Sequence, residues 1–277
     1  MTEQRKTGHF DDAWLNVDKT DDPSFFVRFL DASRRRALEF ARNNPKLAFA
    51  HLDLKPGISV LDCGCGTGDT LTIISGLTAP GEAYGGDLSS AMLQEARRRA
   101  EMTEARHLRF EPMDVQSLSF SDCRFDRVLA TQLLVHVSDP RRAMHEICRV
   151  TTPKGIVAIA DTDWDTLVVG CSNRELGRRF TRLFSDGIRN GLVVRDYVGW
   201  LRAEGFINIK MIPQPIVFDD WAFVRDWILK PSLPHFVAQA SMSAVEAESF
   251  VDDLADRNAT GGFFAAFSFY TVTGQRP

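Results

Sequence analysis

No stretch of this 277-residue chain stays apolar for the roughly 18 residues that a membrane-spanning helix requires. Residues 1–30 are charged throughout, so we expect no secretory leader. Neither sign of charge dominates: 33 Lys and Arg face 37 Asp and Glu, a net charge of −4. So weak a field has no general hold on a nucleic-acid backbone, and we expect no nucleic-acid partner. The clusters Arg34-Arg35-Arg36 and Arg97-Arg98-Arg99 read as solvated helix faces. Cysteines are few and odd in number, 5, which fits reduced thiols and a cytoplasmic location. Tyrosine is scarce, 3 against 20 Phe. Much aromatic area with few phenolic hydroxyls suits a dry interior or a dry pocket. No internal repeat or low-complexity tract is visible. What remains, 44% apolar and 25% charged, is ordinary for a globular protein with one or two domains.

Residues 1–22 are polar and Asp-rich and read as a loose arm. From Pro23, Phe26, Phe29, Leu30, Ser33, Ala37 and Phe40 recur at helical spacing, and the helix should end near Asn43-Asn44-Pro45. Strands follow at Ile58–Leu61, Ala83–Gly86, His107–Glu111, Arg127–Ala130 and Ile156–Ala160. Helices lie between them, one capped by Ser89 and one by Asp139 with Pro140 in its first turn. Strands alternating with helices at this spacing predict a doubly wound parallel α/β sheet, with ligands beyond the carboxyl ends of the strands. Farther on, helices are expected over 172–190, 196–204, 218–230 and 243–256. A strand is expected at Ile207–Val217, interrupted by Pro213 and Pro215, and a last one at Phe263–Val272.

The central motif is Val60-Leu61-Asp62-Cys63-Gly64-Cys65-Gly66-Thr67-Gly68, a strand running into glycines and then a helix. Glycines allow a tight turn and a close ligand approach, and the helix start favours an anionic group. Asp87, at the end of the second strand, can accept hydrogen bonds from both ribose hydroxyls. These features alone also fit an NAD-binding domain. Cys63 and Cys65, with no second pair, make a poor zinc site, and no metal is expected.

The run VLDCGCGTGDT resembles motif I of the class I S-adenosylmethionine-dependent methyltransferases. Asp87, Asp114-Val115, Phe125-Asp126-Arg127-Val128 and Thr152-Pro153-Lys154-Gly155 are similar to the later motifs of that family, in order. Lys154 stands where a second glycine is commoner. The ending FFAAFSFYTVTGQRP is similar to the last strand of the group containing ubiquinone- and menaquinone-type methyltransferases. The resemblance implies a Rossmann-like seven-stranded sheet in the order 3-2-1-4-5-7-6 with the last strand antiparallel. It implies S-adenosyl-L-methionine as cofactor. Gly64 and Gly66 would lie at its methionine part, Asp62 near its ammonium, Asp87 at the ribose and Asp114 at the adenine amino group. Leu88, Met92 and Val115 would flank the adenine, and Gln132 would touch the cofactor.

Methyl transfer needs alignment and a dry site, and a base only where the acceptor must lose a proton. His136, in the segment after the fourth strand, is the candidate base; a structural turn is its other reading. Asp161 and Trp164, after the fifth strand, are expected to border the acceptor pocket, with Asp163 as another polar candidate. Phe25, Phe26, Phe29, Trp221, Phe223, Trp227, Phe236 and Phe250 are expected to form a lid over an apolar or aromatic acceptor, Phe29 at its pocket. No Asn/Asp-Pro-Pro-aromatic motif follows the fourth strand, which further disfavours nucleic acid and favours a small metabolite. We expect one domain: a core of about 46–216 plus 260–277, a mainly helical cap from 1–45 and 217–259, and a monomer or homodimer. The alternatives are an NAD-dependent oxidoreductase and a non-catalytic S-adenosylmethionine-binding protein.

Overall fold

The computed structural model describes residues 12–103, 107–218 and 220–277. The start of the arm, with His9 and Asp11, lies outside the described residues. A 3-10 stretch, Asp12–Lys19, leads into helix α1 (Ser24–Asn43) and the single turn α2 (Pro45–Ala48). There follow β1 (Val60–Cys63), α3 (Asp69–Thr78), β2 (Ala83–Asp87), α4 (Ser90–Glu101), β3 (Leu108–Pro112) and β4 (Phe125–Thr131). After these come α5 (Pro140–Val150), β5 (Thr151–Val169), α6 (Arg174–Asp186), α7 (Tyr197–Ala203) and β6 (Ile207–Phe218). The chain ends with α8 (Trp221–Val224), α9 (Lys230–Ala238), α10 (Ala244–Ala259) and β7 (Ala265–Gln275).

The sheet order is β3-β2-β1-β4-β5-β7-β6. Neighbours among β1–β5 are parallel, and β7 runs antiparallel to both β5 and β6. Every residue of β1 is buried, as in an interior parallel strand. Alternate side chains take opposite faces. Leu61, Cys63, Val128, Ala130, Val157 and Ile159 enter one core, while Val60, Leu129 and Ala158 enter the other. Caps start the helices where the sequence suggests. Ser89 accepts from the Met92 N–H at 3.2 Å and Asp139 from the Arg142 N–H at 2.9 Å. Ser243 and Glu246 form a reciprocal capping box.

Four local expectations are corrected. β5 is 19 residues long, because it continues past Ala160 along β7 with a register shift between Asp163 and Val168. Pro213 and Pro215 do not interrupt β6, which pairs with β7 without a break from Lys210 to Phe218. β6 is an edge strand, where an absent N–H can face outward at no cost to the ladder. The helix expected at 218–230 begins at Trp221 and reaches Ala238 through a π turn at Arg225–Leu229. There the Lys230 N–H bonds the Arg225 carbonyl, just before Pro231 and Pro234, which have no N–H to donate. Finally, α1 buries Phe26, Leu30, Leu38 and Ala41, not Phe40, which is 48% exposed.

Two of the expected lid aromatics belong to the core instead. Phe250 of α10 and Phe236 of α9 pack on Phe180 of α6, with ring centroids 4.8 and 6.1 Å apart. Trp221 packs on Phe263. Other aromatics do meet across the two extra segments: Phe25 and Phe29 lie 4.9 and 5.7 Å from Trp227, and Phe29 lies 6.1 Å from Phe223.

Candidate active site

The carboxyl ends of β1, β2 and β4 open into one cleft of about 1400 Å³. At one end lies the turn after β1. Gly64 and Gly66 have φ of +67° and +53°, the left-handed region that glycine enters at little cost. A Cβ on Gly64 would stand 2.7 Å from Leu133, and one on Gly66 would stand 3.0 Å from Leu30 of α1. The turn therefore admits close neighbours at Gly64 and Gly66 only because these two positions lack side chains. α3 follows directly and presents its N-terminus to the same turn.

Asp87 ends β2 and lines the cleft. Its Oδ2 accepts from the Gly66 N–H at 3.0 Å and its Oδ1 from the Ser89 N–H at 2.9 Å. A carboxylate has about four acceptor sites, so two remain for a ligand diol. Burial pushes its pKa up, against those two N–H bonds and Arg34. Asp114 lines the cleft too, its Oδ1 taken by the Gln116 N–H at 2.9 Å and side-chain amide at 3.1 Å. Val115 and Met92 are buried at the cleft wall, and Leu88 stands 57% exposed at its rim. Asp62 is buried beneath the turn, is not among the residues that line the cleft, and receives no hydrogen bond from a described residue. Burial raises its pKa to about 7, with Arg34 opposing and Asp87 reinforcing the rise. Cys63 and Cys65 are buried and free, and burial pushes both thiols far from the thiolate that metal binding or attack would need.

Toward the other end the wall turns aromatic. Gln132, at the end of β4, holds φ +52° and donates from its side chain to Thr162 Oγ at 2.9 Å. A non-glycine residue held there is strained, and such strain concentrates at functional sites. His136 faces the cleft and stacks on Trp14, 5.4 Å between centroids at an interplanar angle of 21°. Phe29, Phe223, Trp227, Trp164 and Phe267 complete this end.

Asp161 is a correction. It is fully buried behind the wall and does not line the cleft. Tyr197 Oη donates to its Oδ2, and the Val135, Leu134 and Leu133 N–H groups favour its charge, yet Oδ1 has no partner in hydrogen-bond reach. Strand alternation turns Asp161 away from the cleft that its neighbour Ala160 lines, into the packing under the 133–135 turn. Asp163 is likewise buried and paired with Arg195 at 2.8 Å.

Trp14, Arg34 and Phe267 are among the cleft residues that were not expected there. Trp14 lies in the segment read as a loose arm, and nothing there signals a wall. Arg34 was read as solvated, but it is half-buried and lines the cleft beside Gly64 and Gly66. The signal was available: Arg34 interrupts the four-residue stripe Phe26, Leu30, Leu38 of α1.

A methyltransferase-domain pattern matches residues 54–186. The chain is 33% identical over 253 residues to an uncharacterized 37.1 kDa protein in transposon TN4556 of Streptomyces fradiae, covering 90% of this chain and 71% of that protein. The chain belongs to the class I S-adenosylmethionine-dependent methyltransferases. This does not favour the NAD-dependent oxidoreductase. The methyltransferase is also 30% identical over 118 residues to the demethylmenaquinone methyltransferase of Bacillus mycoides, 42% of this chain and 50% of that enzyme. It thus spans half the length of that relative. In fold it resembles YcgJ of Bacillus subtilis, with a TM-score of 0.61 and 18% identity over 83% of this chain and 96% of that one. Its cofactor is S-adenosyl-L-methionine. The residues present fit that group: a turn without side chains at Gly64 and Gly66 before a helix start, a carboxylate with two acceptor sites to spare, and apolar walls beside it.

Proposed function

We propose that this methyltransferase moves a methyl group from S-adenosylmethionine to a small, partly apolar acceptor of the secondary-metabolite or quinone kind. One observation carries the reading: a single cleft with two chemically different ends. At about 1400 Å³ it exceeds the roughly 300–1000 Å³ that one ligand needs. The glycine end would take the cofactor, with Asp62 toward the ammonium, Asp87 on the ribose, Asp114 toward the adenine and Leu88, Met92 and Val115 beside the ring. The aromatic end would take the acceptor, with Phe29 and Trp164 in its wall. A cleft open past Gln132 supports catalysis over cofactor binding alone.

When bound, the cofactor supplies a methyl group on a positively charged sulfonium, which an acceptor attacks in line. The chain's own groups align and dry that encounter. The aromatic wall excludes water and offers ring faces to positive charge. Gln132 is fixed by Thr162 at the junction of the two ends. His136 is the group to accept a proton from the acceptor. Its ring is held in place by the Trp14 stack.

We read residues 1–45 and 217–259 as a two-part cap on one catalytic domain, working as a monomer or homodimer without nucleic acid. No helix among the described residues is long and apolar enough to cross a membrane. The free cysteines support a reducing, cytoplasmic setting.

Calorimetric titration with S-adenosylhomocysteine and with NAD tests the cofactor site. Binding of the former at micromolar levels, with none of the latter, is expected. Labelled methyl transfer onto hydroxylated, apolar aromatic compounds then tests the acceptor class. Failure of S-adenosylhomocysteine to bind at high micromolar levels would overturn the reading.

A further inference from the structure

Three consecutive residues after α6 hold the acceptor end of the cleft together from behind. Arg189, Asn190 and Gly191 are not among the residues that line the cleft, yet each bonds a segment that does. Arg189 pairs with Asp12 at 2.6 Å, at the start of the 3-10 stretch that carries Trp14. Gly191 offers its carbonyl to the Trp164 N–H at 2.9 Å. Between them, Asn190 holds the turn 133–137. Its side-chain amide donates to the Leu134 carbonyl at 3.0 Å and to the Val137 carbonyl at 2.7 Å. Its own N–H donates to the Val135 carbonyl at 3.1 Å.

Both partners of the amide are carbonyls, which only accept, so its NH2 group and not its oxygen must face them. Leu134, Val135 and Val137 are buried, and a buried carbonyl without a donor is costly. Asn190 meets these carbonyls on both sides of His136, and its side chain does so from 53 and 56 residues away. Closing the turn needs only the local bond from the His136 N–H to the Leu133 carbonyl, at 3.0 Å. The amide does something further. It ties the turn to the end of α6, and so sets how far His136 reaches into the cleft. The His136 ring is held in turn by its stack on Trp14, whose segment Arg189 anchors.

We propose that Asn190 is a positioning residue for methyl transfer: through the turn 133–137 it sets the place of the His136 ring at the acceptor end. This rests on His136 being the group that takes the acceptor's proton. Proton transfer needs hydrogen-bond reach, and a misplacement of about 1 Å costs up to about 10²-fold in rate.

The test follows the imidazole itself. The full chain carries 13C-labelled histidine, and the His136 signals are assigned by their loss in His136→Gln. In the wild type the stacked indole of Trp14 is expected to displace them from the position of a free imidazole. Asn190→Asp keeps the size of the side chain but sets carboxylate oxygens against two carbonyls. It is expected to remove most of that displacement. The His51, His107, His145 and His235 signals should stay in place, and affinity for S-adenosylhomocysteine should stay within about threefold. Asn190→Ser, which keeps one donor, reads the same signals should the Asp variant not fold. In labelled methyl transfer to 2-naphthol, Asn190→Asp is expected to lower kcat by about 10–100-fold in the wild-type chain and by less than about twofold in His136→Ala, because one alignment can be lost only once. The proposal is overturned by His136 signals undisplaced in the wild type or unmoved in a folded variant, by all the histidines moving together in both variants, or by equal losses of kcat in the two backgrounds. A wild-type chain that transfers no methyl group to the probe, or whose turnover survives His136→Ala, would instead overturn the reading of the acceptor end beneath it.

Discussion

Asp161 is where a pH experiment reads the packing directly. Its carboxyl is fully buried, one oxygen takes the Tyr197 hydroxyl and the other has no partner. Burial raises its pKa from 3.8 to about 7. At about 1.4 kcal/mol per pH unit, that rise corresponds to at most about 4 kcal/mol. The sign follows from the protons. Between pH 3.8 and about 7 the folded chain keeps a proton that the unfolded chain has released. Stability from this group is therefore fully present below pH 3.8 and is lost as pH rises through about 7. Asp161→Asn keeps the shape and an acceptor for Tyr197 but has nothing to titrate. Urea unfolding followed by tryptophan fluorescence, from pH 4.5 to 8 on both chains, isolates the group, since every other titration cancels in the difference. The variant is expected to gain about 2–4 kcal/mol on the wild type across that range. Tyr197→Phe, which removes the donor that favours the carboxylate, is expected to move the transition to higher pH. A difference constant within about 0.5 kcal/mol would refute the reasoning.

Other outcomes are more quickly read. Asp87→Asn is expected to weaken S-adenosylhomocysteine binding by about 10–100-fold, because a neutral amide replaces a charged acceptor for the diol; unchanged affinity by calorimetry would remove Asp87 from the ribose. His136→Ala is expected to slow turnover by about 10²–10⁴-fold with cofactor affinity kept, and a loss below about threefold would leave His136 a structural residue. Lys154 holds φ +64° in the turn before the buried part of β5. Lys154→Gly removes that strain and is expected to stabilise the fold by roughly 0.5–1 kcal/mol, raising the melting temperature by a degree or more; a lower melting temperature counts against the strain argument.

Much of this protein is written locally. The run Val60–Gly68, the acid at Asp87 and the caps at Ser89 and Asp139 need only neighbours a few residues away, so periodicity and turn chemistry disclose them. The strand order followed from the resemblance, and the sheet has it. Chain-distant partners decided the rest. Pro213 and Pro215 read as breaks because a sequence does not say which strand lies at an edge. Asp161 read as a pocket residue because it follows a strand end, whereas Tyr197, 36 residues on, draws it into the interior. Phe236 and Phe250 read as lid because they fall in the extra segment, and Phe180 claims them for the core. Arg34 read as solvent-facing because an arginine among arginines costs least in water. Only the docking of α1 over the glycine turn brings it into the cleft. Local steric and hydrogen-bond preferences thus determined the elements and the cofactor turn, while burial among distant segments decided which charges and rings face the cleft.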